Sequence, residues 1–348
     1  MSMQMTSSNP NSSQGIRKAV DRWLSKLFMT ERNQTKEKAL PERGTATRIE
    51  DIRCVLIVGA GTMGQQIGLQ CAMHGYEVVV YDIMPEALET ANSQIKACAA
   101  QLISQMRLTQ SEANAVLARI RFTANPADAA RADLISESVP EDPALKAKVF
   151  AQFNQLCPPH TIFTTNSSSL LPSMFADATG RPAQFAALHF HTYVWDSNVV
   201  DIMPHPGTSP ETVELIYAFA RRIGQIPIVL KKENYGYVFN AMFNQLNTAA
   251  LNLVANGIAS TEDVDRAWMG VMKMPLGPFG WLDGIGLKTV WDITQYWATT
   301  TRDPQLQANA NFLKQYVDKS WLGVKTGRGF YTYPDPAYAR PSFFTGEA

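Results

Sequence analysis

The chain has 348 residues, 45% of them apolar, and 31 basic residues balance 31 acidic ones. At about 150 residues per domain that length predicts two domains, and the balanced charge gives no case for a nucleic-acid partner. No apolar run approaches the roughly 20 residues that a membrane-spanning helix needs. Cys54, Cys71, Cys98 and Cys157 lack C-x-x-C spacing, and no secretory signal pattern opens the chain. Buried, reduced thiols and a cytoplasmic setting are expected.

Residues 1–50 differ from the rest. Residues 1–15 are rich in Ser, Asn and Gln and read as disordered. Ile16, Ala19, Val20, Trp23, Leu24, Leu27 and Phe28 then recur at helical spacing, with Arg17, Lys18, Arg22 and Lys26 largely off that stripe. A short amphipathic helix is expected, either docked on the body or serving a membrane surface or targeting. Asp21 and Glu31 argue against targeting, and residues 30–50 read as a polar linker.

From Ile52 strands and helices alternate. An apolar strand over 53–58 runs into Gly59-Ala60-Gly61-Thr62-Met63-Gly64, and a helix over 62–74 follows. In G-x-G-x-x-G the first glycine makes the tight turn, the second lets backbone approach a pyrophosphate, and the third lets helix pack on strand. Thr62 and Met63 open the helix, whose N-terminal N–H groups favour phosphate. A second strand over 77–81 ends at Asp82, 18 residues past Gly64. An acid there accepts hydrogen bonds from ribose hydroxyls and repels a 2′-phosphate, so the pattern predicts NAD rather than NADP.

Helices over 85–106, 111–118, 143–156 and 210–223 are expected, with strands over 120–123, 134–137, 161–165, 185–189, 199–203 and 227–230. Repeated βαβ units predict a parallel, doubly wound sheet of Rossmann type over residues 51–231. After Lys231 the strand signal stops. A helix over 237–256, a Ser260 start in the capping-box manner, and helices near 286–299 and 304–318 predict an all-helical second domain over 232–348.

Ligands of open α/β sheets bind beyond the carboxyl ends of strands. That rule selects Glu137 to Glu141 with Lys146, then Asn166-Ser167-Ser168-Ser169, then His189-Phe190-His191. His189 is the acid–base candidate, because imidazole titrates near neutrality and can take and return a hydroxyl proton. Asp201 on the next strand could orient it. The serines lack a G-x-S-x-G setting and read as hydroxyl donors or a helix cap. His191 shares a strand face with His189, but no third ligand has matching spacing, so no metal is expected.

These segments together resemble the 3-hydroxyacyl-CoA dehydrogenase family, including 3-hydroxybutyryl-CoA dehydrogenases, over about residues 52–334. The glycine turn, Glu137 to Glu141, Asn166 to Leu170 and Leu188-His189-Phe190 carry the resemblance. So do Met274-Pro275-Leu276-Gly277-Pro278-Phe279 with Leu282-Asp283, and Lys325-Thr326-Gly327-Arg328-Gly329-Phe330-Tyr331. The resemblance implies His189 as catalytic base and Asp201 in the place of a glutamate partner. It implies Ser168 on the substrate oxygen and Asn240 closing the site from the helical domain. Glu141, Lys146 and Asn166 would lie by the cofactor, and the helical domains would form a homodimer.

The chain also departs from that family. His189-Phe190-His191-Thr192-Tyr193 replaces His-Phe-Phe-Asn-Pro. Asp201 is one methylene shorter than Glu. Tyr235-Gly236-Tyr237-Val238-Phe239-Asn240-Ala241 replaces Pro-Gly-Phe…Asn-Arg, and an arginine is gone. Cys98 and Gln105 stand where the family contacts the CoA nucleotide; Lys96 and Arg107 are near but unaligned. The resemblance implies NAD-dependent oxidation of an L-3-hydroxyacyl-CoA. The departures leave two alternatives: a free 3-hydroxy acid (carnitine- or sugar-acid-like) as substrate, or a non-catalytic NAD-binding homologue.

Overall fold

Strand β1 (Cys54–Val58) is buried at every residue, and its alternation feeds two cores. Val55 and Ile57 join one cluster, with Leu188, Ile202 and Phe219. Cys54, Leu56 and Val58 join the other, with Phe150, Phe163 and Phe185. A strand apolar on both faces has to be covered on both faces, and that places β1 in the middle of the sheet. The computed structural model describes residues 48–345. The expectations for residues 1–47 lie outside them. The described residues fall within one compact unit, residues 46–348.

Seven strands follow: β2 (Glu77–Tyr81), β3 (Ile120–Thr123), β4 (Leu134–Glu137), β5 (Ile162–Thr165), β6 (Phe185–Phe190), β7 (Val199–Pro204) and β8 (Ile226–Val229). Their spatial order is β3-β2-β1-β4-β5-β6-β7-β8. The order reverses between β1 and β4, so a crevice opens beyond their carboxyl ends, where the glycine turn lies. Helices α1 (Thr62–Met73), α2 (Pro85–Ser104), α3 (Gln110–Ala118), α4 (Pro143–Leu156) and α5 (Pro210–Arg222) accompany the strands.

The expected all-parallel sheet needs one correction. β7 runs antiparallel to β6 and parallel to β8. The eight residues 191–198 between β6 and β7 contain no helix, and so short a connection cannot make a parallel crossover. This reversal sets His189 opposite Asp201 in the ladder.

Beyond β8 the chain is helical: α6 (Phe239–Ala255), α7 (Thr261–Met272), α8 (Pro278–Ile285), α9 (Leu287–Thr301) and α10 (Pro304–Val317). α6 starts two residues later than expected, because Gly236 and Tyr237 take left-handed backbone, φ 78 and 55. Ser260 caps α7 by accepting from Asp263 N, but its hydroxyl, not its backbone, meets the Asp263 carboxylate. Two buried aspartates fasten the segments that carried the family resemblance. Asp265 accepts from Phe279 N, Gly280 N and Tyr331 Oη. Asp283 accepts from Phe330 N, Tyr331 N and Tyr333 Oη. At Gly329 a Cβ would stand 2.0 Å from Asp283 Oδ1, which explains glycine there.

Candidate active site

The glycine turn is shaped by contacts that no side chain could share. Gly59 has φ +105, and a Cβ on it would meet Ser138 O at 2.7 Å. A Cβ on Gly64 would meet Gly59 O at 2.0 Å, whereas Gly61 faces open space. Helix α1 makes its first backbone bond only at Gln65 N, to Gly61 O. The N–H groups of Thr62, Met63 and Gly64 therefore aim outward. An open glycine beside unpaired helix N–H groups suits a pyrophosphate. Asp82 follows β2 and braces the turn, accepting from Ala60 N and Met84 N. These residues fit the adenine side of NAD.

Across the crevice, Ser168 Oγ lies 3.2 Å from His189 Nε2, and His189 Nδ1 lies 3.3 Å from Asp201 Oδ2. Ser168 is exposed, whereas His189 and Asp201 are buried. The relay thus runs from the open cleft into the sheet. Burial is the main influence on the imidazole and holds it below its usual pKa; the hydrogen bond it donates to Asp201 opposes this. Burial also pushes the Asp201 carboxyl up, but hydrogen bonds and attraction from His189 and His191 outweigh it and leave the group below its ordinary value. The result is a neutral imidazole near pH 7 with an ionised carboxylate behind it, which is the state a base requires.

The serine loop is held from below, and it caps no helix as one sequence reading allowed. Glu141 Oε1 accepts from Ser167 Oγ, Ser168 N, Ser169 N and Ser169 Oγ, at 2.5 to 3.0 Å. Lys146 Nζ, fully buried, donates to Glu137 Oε1 at 2.7 Å and lies 3.3 Å from Glu141 Oε2. Its charge is committed to these two carboxylates rather than turned to the crevice. Burial pushes the Glu137 carboxyl up against the opposing pull of Lys146. Asn166 Oδ1 accepts from Phe190 N, tying the ends of β5 and β6 together. Asn240, the second residue of α6, is half-buried. Among the described residues, no hydrogen bond joins it to Ser168 or His189.

Several further neighbours surround the relay, and the sequence reading gave them no part in it. Tyr237 stacks on His189, ring centroids 4.5 Å apart and planes 12° apart, and donates from Oη to Ser167 O at 2.5 Å. It stands where the family has phenylalanine, so the substitution itself was the signal. Arg107 reaches the loop after β6, donating to Asp196 Oδ1 and Trp195 O. An aromatic path also leads away from His189: His191, Phe239, Phe243 and Trp281 meet in sequence at 5.2, 5.2 and 6.1 Å. Phe239 and Trp281 are each nearly half exposed.

A Rossmann-type sheet with a G-x-G-x-x-G turn at its switch point is the architecture of a dinucleotide-dependent enzyme. The profile described as "3-hydroxyacyl-CoA dehydrogenase, NAD binding domain" matches residues 54–234. The one described as "3-hydroxyacyl-CoA dehydrogenase, C-terminal domain" matches residues 236–333. The chain belongs to the 3-hydroxyacyl-CoA dehydrogenase family and is an oxidoreductase with NAD as cofactor. A probable 3-hydroxybutyryl-CoA dehydrogenase of Bacillus subtilis is 31% identical over 285 residues, 82% of this chain and 99% of that protein. The crystal structure of (S)-3-hydroxybutyryl-CoA dehydrogenase from Ralstonia eutropha is 31% identical, with a TM-score of 0.74, covering 82% of this chain and 100% of that one. A solved diketoreductase, described for substrate-directed dual catalysis of dicarbonyl compounds, is 39% identical, with a TM-score of 0.76, covering 81% and 99%.

Proposed function

We propose that this chain oxidises an L-3-hydroxyacyl-CoA to the 3-oxoacyl-CoA, with His189 as general base. The carrying observation is the relay from Ser168 through His189 to Asp201, open to the cleft at its serine end. NAD, when bound, supplies the acceptor for the hydride of C3. His189 Nε2 takes the hydroxyl proton, and Asp201 steadies the imidazolium that forms. Ser168 and Asn240 hold the substrate oxygen, with Asn240 supplied by the helical module, residues 232–348. Glu141 and Lys146 act by fixing the serine loop. Following NAD reduction on (S)-3-hydroxybutyryl-CoA and longer thioesters, beside His189→Ala, tests this. Turnover that survives the substitution removes His189 from the role.

A wider reading goes with it: a cytoplasmic homodimer acting in fatty-acid β-oxidation. Four free cysteines, three of them buried, suit a reducing setting. Among the described residues no helix is long and apolar enough to cross a membrane.

A second reading keeps the hydride chemistry and drops CoA. Cys98, Gln105 and Ala241 replace groups that would contact the nucleotide or the domain junction. The aromatic path from His191 to Trp281 favours an apolar substituent over a sugar acid. The 39% identity to a diketoreductase described for dicarbonyl compounds supports a small carbonyl or hydroxy compound as substrate. Free CoA as a competitor separates the readings, since only a CoA site is inhibited by it.

A further inference from the structure

The serine–histidine relay uses one face of Asp201. Beside His189 lies a second imidazole with no part in that relay. His191 Nε2 stands 3.5 Å from Asp201 Oδ2, the same oxygen that lies 3.3 Å from His189 Nδ1. The three ligand atoms lie within 4.8 Å of one another. A tetrahedral zinc ion with bonds of about 2.0–2.1 Å sets its ligand atoms roughly 3.4 Å apart, so two of the three edges already have that length. The reason is the strand: residues two apart share a face, and the antiparallel register sets Asp201 across from the first of them. Spacing along the chain hides Asp201 as a third ligand, because it comes from the neighbouring strand.

An independent observation points the same way. Asp201 Oδ1 is buried and has no hydrogen-bond partner among the described residues. A buried carboxylate oxygen without a partner is costly, and a cation that Asp201 holds through both of its oxygens removes that cost. His191 keeps some exposure and opens the route in, while the edge of Phe239 packs against its ring.

We propose that His189, His191 and Asp201 form a three-ligand site for a zinc-class dication that silences the base. Two imidazoles and one carboxylate suit zinc and leave a fourth position for water. The metal takes Nδ1 of His189, and the ring proton then sits on Nε2. Nε2 faces Ser168 as a donor and can no longer accept a hydroxyl proton. Oxidation of the alcohol stops while the fold and the cofactor turn are untouched. Magnesium and calcium, which prefer oxygen ligands, have no such effect.

Equilibrium dialysis of the full chain against buffered zinc chloride tests this, with NAD reduction followed in parallel and each variant compared with its own metal-free rate. The expected result is one zinc per chain and loss of oxidation as it binds. His191→Phe and Asp201→Asn should each weaken binding by at least about tenfold. His191→Gln serves if the phenylalanine variant does not fold. Cobalt(II) in the wild-type chain should show a tetrahedral absorption band without thiolate charge transfer. Binding that is unchanged in the His191 and Asp201 variants, a thiolate band, or no binding at all overturns the proposal. The site shares His189 with the assigned base, so the dialysis arm is read separately from turnover. Zinc bound by the wild-type chain and weakened in the His191 and Asp201 variants, together with turnover that survives His189→Ala, would contradict the base alone.

Discussion

His189 and Asp201 face each other across the antiparallel β6–β7 ladder, and their side chains meet at 3.3 Å. A charge-assisted bond of this kind commonly measures about 2.7–2.9 Å. The longer separation is what the shorter acid implies: aspartate lacks a methylene, and direct opposition of the two backbones makes up only part of the reach. The Tyr237 ring fixes the imidazole from its face, so orientation does not rest on the carboxylate alone.

Asp201→Asn should therefore slow NAD reduction by roughly 100-fold or more, the scale of an acid–base contribution. The pH dependence carries a sign. Asp201 stabilises the imidazolium, so its loss lowers the His189 pKa beyond what burial has already done. In the wild type, kcat/KM for oxidation should fall as pH drops through an acid limb below the usual histidine value of about 6.5. In the variant that limb should move to lower pH while the plateau drops. Asp201→Glu should restore part of the rate. A limb that stays in place would separate Asp201 from the base.

Lys146→Met should cost about 3–5 kcal/mol of stability, because it leaves Glu137 buried without its cation. Glu137 can escape by protonating. Its folded-state pKa, already raised, climbs further without Lys146. The variant should thus be nearest to wild type in acid and lose ground as pH rises toward neutrality. Urea unfolding at several pH values measures this. The serine loop should loosen as well, because Glu141 loses its neighbour, and KM should rise.

The sheet was legible in the sequence because apolar runs ending in Gly, Asp or Asn are local signals. Each of the eight strands begins within two residues of its expected start. The direction of β7 was not legible locally, since it depends on how little chain joins it to β6. The same limit hid parts of the site. His189, Ser168 and Asp201 could be named from strand ends and resemblance, but the shared Asp201 oxygen and the Tyr237 stack arise from pairings across the fold. Lys146 was placed at the cofactor by resemblance, and a position one turn into a helix near the crevice says nothing of which way it points. Glu137 and Glu141 decide that.

The dimer reading rests on α9. Ile293, Tyr296 and Trp297 fall at i, i+3 and i+4, and all three are about half exposed or more. Such a stripe on an exposed helix face calls for a partner, and a second copy places the same apolar face against itself. Trp297→Glu, alone and with Ile293→Glu, should convert a dimer to a monomer in light scattering. A monomeric wild type would end this reading at once.

Asp265 gives a stability prediction of opposite slope to the relay carboxylate. Burial lifts its pKa to about 6, against the pull of hydrogen bonds from Phe279, Gly280 and Tyr331. A carboxyl raised above its unfolded value of 3.8 binds a proton more tightly in the fold. Its favourable contribution is fully present below the unfolded value and is lost as pH rises through about 6. The difference amounts to about 3 kcal/mol at most by pH 7. Asp201 and Glu141, both held below their ordinary values, contribute in the other sense and lose stability in acid. A whole-protein profile therefore mixes both signs. Comparison with Asp265→Asn isolates the one: the amide keeps one acceptor and does not titrate. The variant should be less stable throughout, since three donors lose their carboxylate, and the gap to wild type should narrow as pH rises from 4 to 7. A gap that widens over that interval would mean the three donors hold Asp265 ionised and its burial is fully offset.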